Sequence, residues 1–94
     1  MKYLINRCWG GFSISEQALA AIGMEDKYSA SDYFRTYSPL IEMVEVKGSD
    51  FVSGRCAKLK IVEIPDEATD WELNDYDGME SIIAVVDGKI QHIA

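Results

Sequence analysis

The chain has 94 residues, of which 48% are hydrophobic and 27% are charged. A chain of this length rarely divides into two cores, so we predict a single globular domain over residues 1–94. Asp and Glu number 16 against 9 Lys and Arg, and the formal net charge is −7. A protein that coats nucleic-acid phosphates needs a basic face, so this balance argues against direct binding to nucleic acid.

No stretch approaches the roughly 20 apolar residues of a membrane span, and residues 1–6 are too short for a signal peptide. We therefore expect a cytoplasmic protein with no membrane partner. The two cysteines, Cys8 and Cys56, are too few for a disulfide scaffold, and a reducing compartment is the simpler interpretation. Free cysteine is often buried, so we interpret both thiols as packed side chains.

The first half of the chain predicts one strand and two helices. Lys2–Asn6 is short, apolar and β-prone, and it ends at a glycine-containing loop. Ser13 and Glu16 have the spacing of a capping box, which predicts a helix that begins there and ends at Gly23. The apolar residues between these points recur every four positions, as one buried helix face requires.

A second helix is predicted at Ser38-Pro39, where a capping hydroxyl precedes a proline at the first helical position. We expect this helix to end at Gly48. Between the two helices, residues 24–37 predict a structured loop with one helical turn at residues 31–34. After the second helix, Phe51-Val52 predicts the start of a short strand.

The second half of the chain predicts strands. Residues 57–64 alternate apolar and polar side chains for most of their length, as in a half-buried strand, and residues 71–73 predict another. Asp87-Gly88 between two apolar runs predicts a hairpin with a type I′ turn, which places His92 opposite Ile83. The predicted fold class is α+β, with two helices in the first half packed on a mostly antiparallel sheet that ends in a C-terminal β-hairpin.

Three sequence blocks carry a resemblance to a known family. They are the Asn-Arg-Cys-Trp-Gly-Gly-Phe run of residues 6–12, the segment 57–66, and Tyr76-Asp77-Gly78-Met79-Glu80. Together they resemble a family of small bacteriophage and prophage proteins that have no assigned activity. The resemblance implies a chain made in the cytoplasm of an infected or lysogenic bacterium. Because many phage accessory proteins bind host enzymes or defence proteins, it also implies a host protein as the partner.

One candidate site is the loop between the first strand and the first helix. Its residues are Arg7, Gly10, Gly11 and Ser13. Glycines let backbone approach a ligand closely, and the N–H groups of a helix start can hold an anion such as a nucleotide phosphate. Against this, Glu16 occupies the same N–H groups, and no phosphate-binding fingerprint is present. The alternative is a tight turn in which Trp9 and Phe12 are core anchors.

A nucleophilic Cys8 is a second candidate. A helix N-terminus and an arginine nearby would favour its thiolate, and His92, the only histidine in the chain, could act as its base. No local pattern places the two residues together, and no third residue is available to orient the imidazole ring. We therefore predict no catalytic residue, no enzyme activity and no cofactor.

The third candidate is the acidic run from Glu63 to Glu80, which has eight carboxylates and no Lys or Arg. The run fits neither an EF-hand nor a zinc site, which leaves a loose calcium or magnesium site as a weak alternative, and we predict no metal. One interpretation is a solvated surface without a partner. The other is a negative face that binds a basic protein surface, with two aromatic residues as contact anchors if they are exposed. The residues of this face are Asp66, Glu67, Asp70, Trp71, Glu72, Asp75, Tyr76 and Asp77.

Charge is uneven along the chain. Residues 1–47 carry five Lys and Arg against six Asp and Glu, a balance of −1, whereas residues 48–94 carry four against ten, a balance of −6. A small domain tolerates neighbouring carboxylates only where water or a basic partner can reach them. We therefore interpret the chain as a non-enzymatic protein that engages or inhibits a host protein, for instance a defence or nucleic-acid-handling protein, through its acidic face.

The alternative function is a module that binds or sequesters a small ligand or a nucleotide at the Gly10-Gly11 loop. The sequence leaves the oligomeric state open. The last strand, residues 89–93, could pair with a second copy if it lies at the edge of a sheet.

Overall fold

Strand β1 (Lys2–Asn6) lies in the middle of the computed structural model, which describes residues 1–25 and 28–94. It pairs with β2 (Leu59–Glu63) in an antiparallel two-stranded sheet. A second antiparallel sheet has the order β3–β4–β5 and consists of β3 (Asp70–Tyr76), β4 (Met79–Val86) and β5 (Lys89–His92). The helical elements are α1 (Glu16–Ala21), a 3-10 helix (Asp32–Thr36), α2 (Ser38–Lys47) and α3 (Ser49–Val52).

The two-stranded sheet is the middle one of three layers. Neighbouring side chains of a strand point to opposite faces of a sheet. Leu4 and Leu59 accordingly pack with the helices, whereas Ile5 and Val62 pack against the three-stranded sheet. All four side chains are buried. Because both faces of β1 are covered, its apolar residues follow one another without strict alternation.

The α+β class predicted from the sequence is confirmed, with helices in the first half of the chain and a hairpin at its end. The strands form two sheets in separate layers rather than one sheet. Residues 64–69 carry the chain from the middle layer to the outer one, and β3 then pairs with β4.

Helix α1 begins two residues later than predicted. Ser15 is its N-cap, because the Oγ atom of Ser15 accepts the N–H of Ala18 at 3.1 Å. Ile14 forms an isolated antiparallel bridge with Ser53, which keeps the chain extended up to the cap. The capping box predicted at Ser13 is therefore wrong.

The predicted helix ends are confirmed. Gly23 and Gly48 have φ angles of 74° and 92°, in the left-handed region where glycine commonly ends a helix. Helix α2 begins at Ser38, one residue earlier than predicted. The predicted Ser38 cap is wrong, because the N-cap is Tyr37 and no side chain caps the helix. The helical turn predicted at residues 31–34 is the 3-10 helix, which begins one residue later.

The strand predicted at Phe51-Val52 is wrong, because these residues belong to helix α3. The hydroxyl of Ser53 donates to the carbonyl oxygen of Ser49 at 2.7 Å and accepts the N–H of Leu59 at 2.9 Å. These bonds tie the short helix to the start of β2. Val52 is consequently held in the core, where it is fully buried.

Two Asp-Gly turns shape the three-stranded sheet. Asp87-Gly88 forms the predicted hairpin turn with φ angles of 52° and 73°, and His92 lies opposite Ile83 as predicted. Asp77-Gly78 has φ angles of 51° and 87° and joins β3 to β4 in a hairpin that we did not predict. A type I′ turn requires two successive positive φ angles, which Asp-Gly tolerates.

A buried ion pair joins the layers. Arg35 of the 3-10 helix donates to Glu80 of β4 from Nη1 at 2.8 Å and from Nη2 at 2.6 Å, and both side chains are 5% exposed. Glu80 also accepts the N–H of Asn6 at 2.7 Å, and Arg35 donates to the carbonyl oxygen of Leu4 at 3.0 Å. Burial acts to lower the pKa of Arg35, but its hydrogen bonds to Glu80 and Asp32 outweigh burial and raise this pKa. The pair therefore holds β4 and the 3-10 helix against β1.

Candidate interaction surface

The candidate functional site is the outer face of the three-stranded sheet. Strand alternation turns one set of side chains toward the core and the other set outward. The outward set, which we call the outer face, consists of Asp70, Glu72, Asn74, Tyr76, Met79, Ser81, Ile83, Val85, Ile90 and His92. It includes both polar and aliphatic side chains.

The register of the strands places aliphatic side chains beside carboxylates on the outer face. The two cross-strand rows are Asp70–Val85–Ile90 and Glu72–Ile83–His92. Ile90 is 67% exposed, and Ile83 and Val85 are half-buried. Ile83, Val85 and Ile90 therefore form a small apolar strip on the outer face.

A shallow groove of about 200 Å³ follows these two rows. It is lined by Asp70, Trp71, Glu72, Ile83, Val85 and Ile90. Small-molecule sites usually measure about 300–1,000 Å³, so this groove fits a side chain of a partner better than a free ligand. The nearby sequence supplies almost no positive charge, because Lys89 is the only Lys or Arg in residues 61–94.

The predicted acidic face is divided in the structure into three groups, which lie in the loop between β2 and β3, at the β3–β4 turn and at the rim of the groove. Asp66 and Glu67 form one group, exposed in the loop between β2 and β3. The amino group of Met1 donates to Glu63 at 3.1 Å and to Asp66 at 3.2 Å. These two bonds raise the pKa of the amino group. A positive charge therefore already lies beside Asp66.

Asp75 and Asp77 form a second group at the turn between β3 and β4. The Oδ1 atom of Asp75 accepts the N–H of Gly78 at 2.7 Å. Asp77 has a φ angle of 51°, a left-handed conformation that Asp tolerates better than most residues. Both side chains are exposed, but each has a structural part in the turn. Asp70 and Glu72 are the third group and rim the groove.

The two aromatic residues of the predicted face differ in exposure. Trp71 points toward the core and packs edge-to-face on Tyr3, with ring centroids 4.9 Å apart. It is half-buried and is also one of the residues that line the groove. Tyr76 is 72% exposed and packs on Trp9 with centroids 5.8 Å apart. Tyr76 is therefore the aromatic residue that a partner can reach.

Glu80 is the last carboxylate of the acidic run, and it is not on the surface. Its ion pair with Arg35 is buried between the layers. The expectation that water or a partner reaches every carboxylate of the run is wrong for this residue. The reason is that β4 turns Glu80 to the same side as Ile82, toward the core.

The glycine loop, the alternative candidate site, packs against other parts of the chain. A Cβ atom on Gly10 would lie 1.9 Å from the carbonyl oxygen of Cys56, so only glycine allows this approach. The side chain of Arg7 donates from Nη1 to the carbonyl oxygen of Glu80 at 2.6 Å. Gly11 has a φ angle of 92°. These contacts use the loop for internal packing, as in the tight-turn alternative.

Of the two predicted core anchors in this loop, Phe12 is confirmed and Trp9 is wrong. Phe12 is buried, whereas Trp9 is 58% exposed. The loop turns its backbone toward the protein, so the indole ring faces outward and packs on Tyr76. Ser13, the last residue of the candidate, accepts the N–H of Gly54 on its carbonyl oxygen at 2.9 Å.

Both cysteine thiols are free. Cys8 is half-buried, but Cys56 is exposed, so the prediction that Cys56 is a packed side chain is wrong. Cys56 lies in the turn before β2 with a φ angle of 65°. His92, the base considered for Cys8, is exposed on β5.

A second exposed apolar surface was missed by reasoning from the sequence. It is a cleft of about 290 Å³ lined by Met24, Tyr28, Ser31, Tyr33, Phe34 and Tyr37. Tyr33 packs against Phe34 and Tyr37, with ring centroids 5.5 Å and 5.3 Å apart. The tyrosines of this segment were visible in the sequence, but they follow no period that would indicate which rings face outward.

Within residues 1–25 and 28–94, no group of three or more His, Cys, Asp or Glu side chains is placed to hold a metal ion. Over the same residues, every helix is too short or too polar to cross a membrane. Comparisons of the chain with protein-family models, with curated proteins and with solved structures found no match.

Proposed function

We propose that this protein is a binding protein that engages a basic surface of another protein through its outer face. The observation that carries this proposal is the groove in which Ile83, Val85 and Ile90 are rimmed by Asp70 and Glu72. Aliphatic contacts supply binding free energy, whereas the carboxylates select and orient a partner of positive charge.

The chemistry of the groove favours lysine or arginine side chains as its occupants. Both have an apolar stem and a charged head. A stem that packs on Ile83 and Val85 would bring its head to Asp70 or Glu72. The net charge of −7 would repel nucleic-acid phosphates, so the partner in this proposal is a protein.

The resemblance to phage and prophage proteins supports a host protein as that partner. A basic surface on a host enzyme often serves to hold phosphate groups. An acidic protein that covers such a surface would inhibit the enzyme by excluding its substrate. The protein would then act as an inhibitor of a nucleic-acid-handling or defence protein of the host.

Charge reversal with a matched control tests the proposal. The variant Asp70→Lys/Glu72→Lys reverses the rim of the groove. The control Glu42→Lys/Asp50→Lys makes the same change in net charge at exposed positions of α2 and α3. Asp75 is unsuitable, because its carboxylate supports the β3–β4 turn.

Each tagged protein is used for capture from bacterial lysate at about 50 mM and about 300 mM NaCl, since the screening length shortens as salt rises. Captured proteins are identified by mass spectrometry. In parallel, a short peptide of alternating lysine and leucine is titrated into each protein, and the amide NMR spectra are followed.

We expect the wild type and the control to retain a basic protein at low salt, and the rim variant to lose it. The peptide should shift amide signals of the outer face, Ile83 and Ile90 among them, in the wild type and the control but not in the rim variant. Equal capture by the rim variant, or peptide shifts elsewhere on the protein, would contradict the proposal.

A further inference from the structure

Among residues 1–25 and 28–94, no further strand pairs with β5, which is therefore an open edge of the three-stranded sheet. Each residue of β5 is exposed. In an antiparallel sheet, hydrogen-bonded and non-hydrogen-bonded residue pairs alternate. Ile93 donates its N–H to the carbonyl oxygen of Ile82 at 2.9 Å. Because every second residue of the strand bonds to β4, the residue of β5 that does so before Ile93 is Gln91. The N–H and C=O groups of Ile90 and His92 therefore point away from β4, to the open edge.

The opposite edge of the same sheet is protected by charge. Strand β3 carries Asp70, Glu72 and Asp75 among its seven residues, so pairing of two β3 strands would bring carboxylates together. Strand β5 carries one charged residue, Lys89. Since charged side chains are a common means of blocking edge strands, β5 is the edge that the sequence leaves available.

We infer that two copies of this chain pair antiparallel through β5 and form one continuous six-stranded sheet. Ile90 of one copy exchanges both of its backbone hydrogen bonds with His92 of the second copy, and the symmetric pair does the same. The two-fold axis then passes beside Gln91, so that the Gln91 side chains of the two copies lie opposite each other.

The side chains fit this arrangement. Lys89 lies opposite Ile93 of the second copy, so no like charges meet. Lys89 and Gln91 are exposed on the inner side of β5, which means that the β1–β2 layer stops short of this strand and leaves space for a second copy. On the outer side, the exposed Ile90 gains His92 of the second copy as its neighbour.

The dimer goes beyond the proposed function and would strengthen it. The two-fold axis is perpendicular to the sheet, so the outer faces of both copies lie on the same side. The two grooves could then engage one partner at two points, which raises affinity without new contacts within either groove. The strand order of the joined sheet is β3–β4–β5–β5–β4–β3, with the acidic strands at both ends.

A four-residue edge buries less area than the roughly 1,200 Å² of a stable interface, so we expect half-dimerisation on the order of 100 µM. Sedimentation equilibrium over a concentration range that brackets this value measures the association. The variants are Gln91→Lys and Gln91→Glu, each of which places like charges opposite each other on the two-fold axis. Asn74→Lys, on β3, is the control.

We expect the wild type and the Asn74→Lys control to dimerise alike. Gln91→Lys and Gln91→Glu should each weaken dimerisation at least tenfold, and an equimolar mixture of the two should restore it, because opposite charges then meet on the axis. The Gln91 side chain lies on the inner side and does not line the groove. These variants therefore leave binding of the lysine-leucine peptide to a single groove unchanged, which separates the test of the dimer from the test of the proposed function.

Three results would overturn the inference. One is a wild type that stays monomeric at concentrations tenfold above the expected midpoint. Another is a dimer whose strength neither Gln91 variant changes. The third is a pair of monomeric variants that remain monomeric when mixed, since this excludes the register in which the two glutamines meet.

Discussion

Replacement of Arg35 by methionine tests the buried ion pair that joins the layers. Arg35→Met keeps an apolar stem in place but removes the two hydrogen bonds to Glu80, at 2.6 Å and 2.8 Å. The carboxylate of Glu80 would remain buried with the N–H of Asn6 as its neighbour. Removing one partner of a buried pair costs about 3–5 kcal/mol, because the other charge is left uncompensated.

That loss is large for a chain of 94 residues, whose unfolding free energy should be about 5–14 kcal/mol at roughly 0.05–0.15 kcal/mol per residue. With a shift of about 4–8 °C in Tm for each kcal/mol in domains of this size, Arg35→Met should lower Tm by at least about 12 °C. Asp32→Asn is the matched control. Asp32 also accepts a hydrogen bond from Arg35, at 2.8 Å, but its side chain is 84% exposed, so we expect a loss below about 1 kcal/mol.

Urea unfolding followed by circular dichroism is measured for the wild type, for Arg35→Met, Glu80→Gln and Asp32→Asn, and for the double variant Arg35→Met/Glu80→Gln. The first three and the double variant of Arg35 and Glu80 give the coupling free energy between these two residues. We expect the double variant to lose at least about 1 kcal/mol less than the sum of the two single losses. Additive losses of unfolding free energy in the double variant would refute the interpretation that Arg35 and Glu80 stabilise the fold as a pair. This interpretation would equally be refuted if Arg35→Met were no more destabilising than Asp32→Asn.

Three further predictions concern turns, pH and fluorescence. Gly88→Ala should lower the free energy of unfolding by about 1–2 kcal/mol because of the left-handed φ of Gly88. Gly78→Ala should lower it by about 1–3 kcal/mol more, because the added Cβ would lie 2.4 Å from a backbone nitrogen of the glycine loop. Equal losses in urea unfolding would contradict this packing. Burial raises the pKa of the Tyr3 phenol. Above about pH 10 the unfolded chain therefore loses a proton that the folded chain keeps, and stability falls as pH rises. The fall in Tm between pH 8 and pH 10.5 should be smaller in Tyr3→Phe than in the wild type, and an identical fall would show that the phenol has no part in it. Acrylamide should quench the fluorescence of Trp9 more than that of Trp71, because the Trp9 indole is the more exposed. Quenching should therefore be weaker than in the wild type for Trp9→Phe and stronger for Trp71→Phe, and the reverse order would be incompatible with the structure.

Part of the candidate site could be predicted from the sequence, because strand alternation and turn chemistry are local. The Asp87-Gly88 turn established the register that places His92 opposite Ile83. The same pattern at Asp77-Gly78 would have paired β3 with β4 and divided the acidic run between two faces of a sheet. We interpreted the run as one surface, although strand alternation alone places the side chains of Asp70 and Trp71 on opposite faces of the sheet.

Other features depend on contacts between residues far apart in the chain. Ser15 rather than Ser13 caps α1 because Ile14 bridges to Ser53, nearly forty residues away. Glu80 is buried because Arg35, which lies 45 positions earlier, meets it with a matching pair of hydrogen bonds. Patterns of neighbouring residues therefore could not predict either contact.

The sequence by itself determined the α+β class, the strand β1, the glycine-terminated helices and the C-terminal hairpin. Each depends on residues within one element or one turn, where backbone φ preferences and side-chain period suffice. Only the tertiary structure decided which carboxylates face solvent and which of Trp9 and Phe12 enters the core. Burial is set by what the neighbouring layers cover, and that cover is provided by segments distant in sequence.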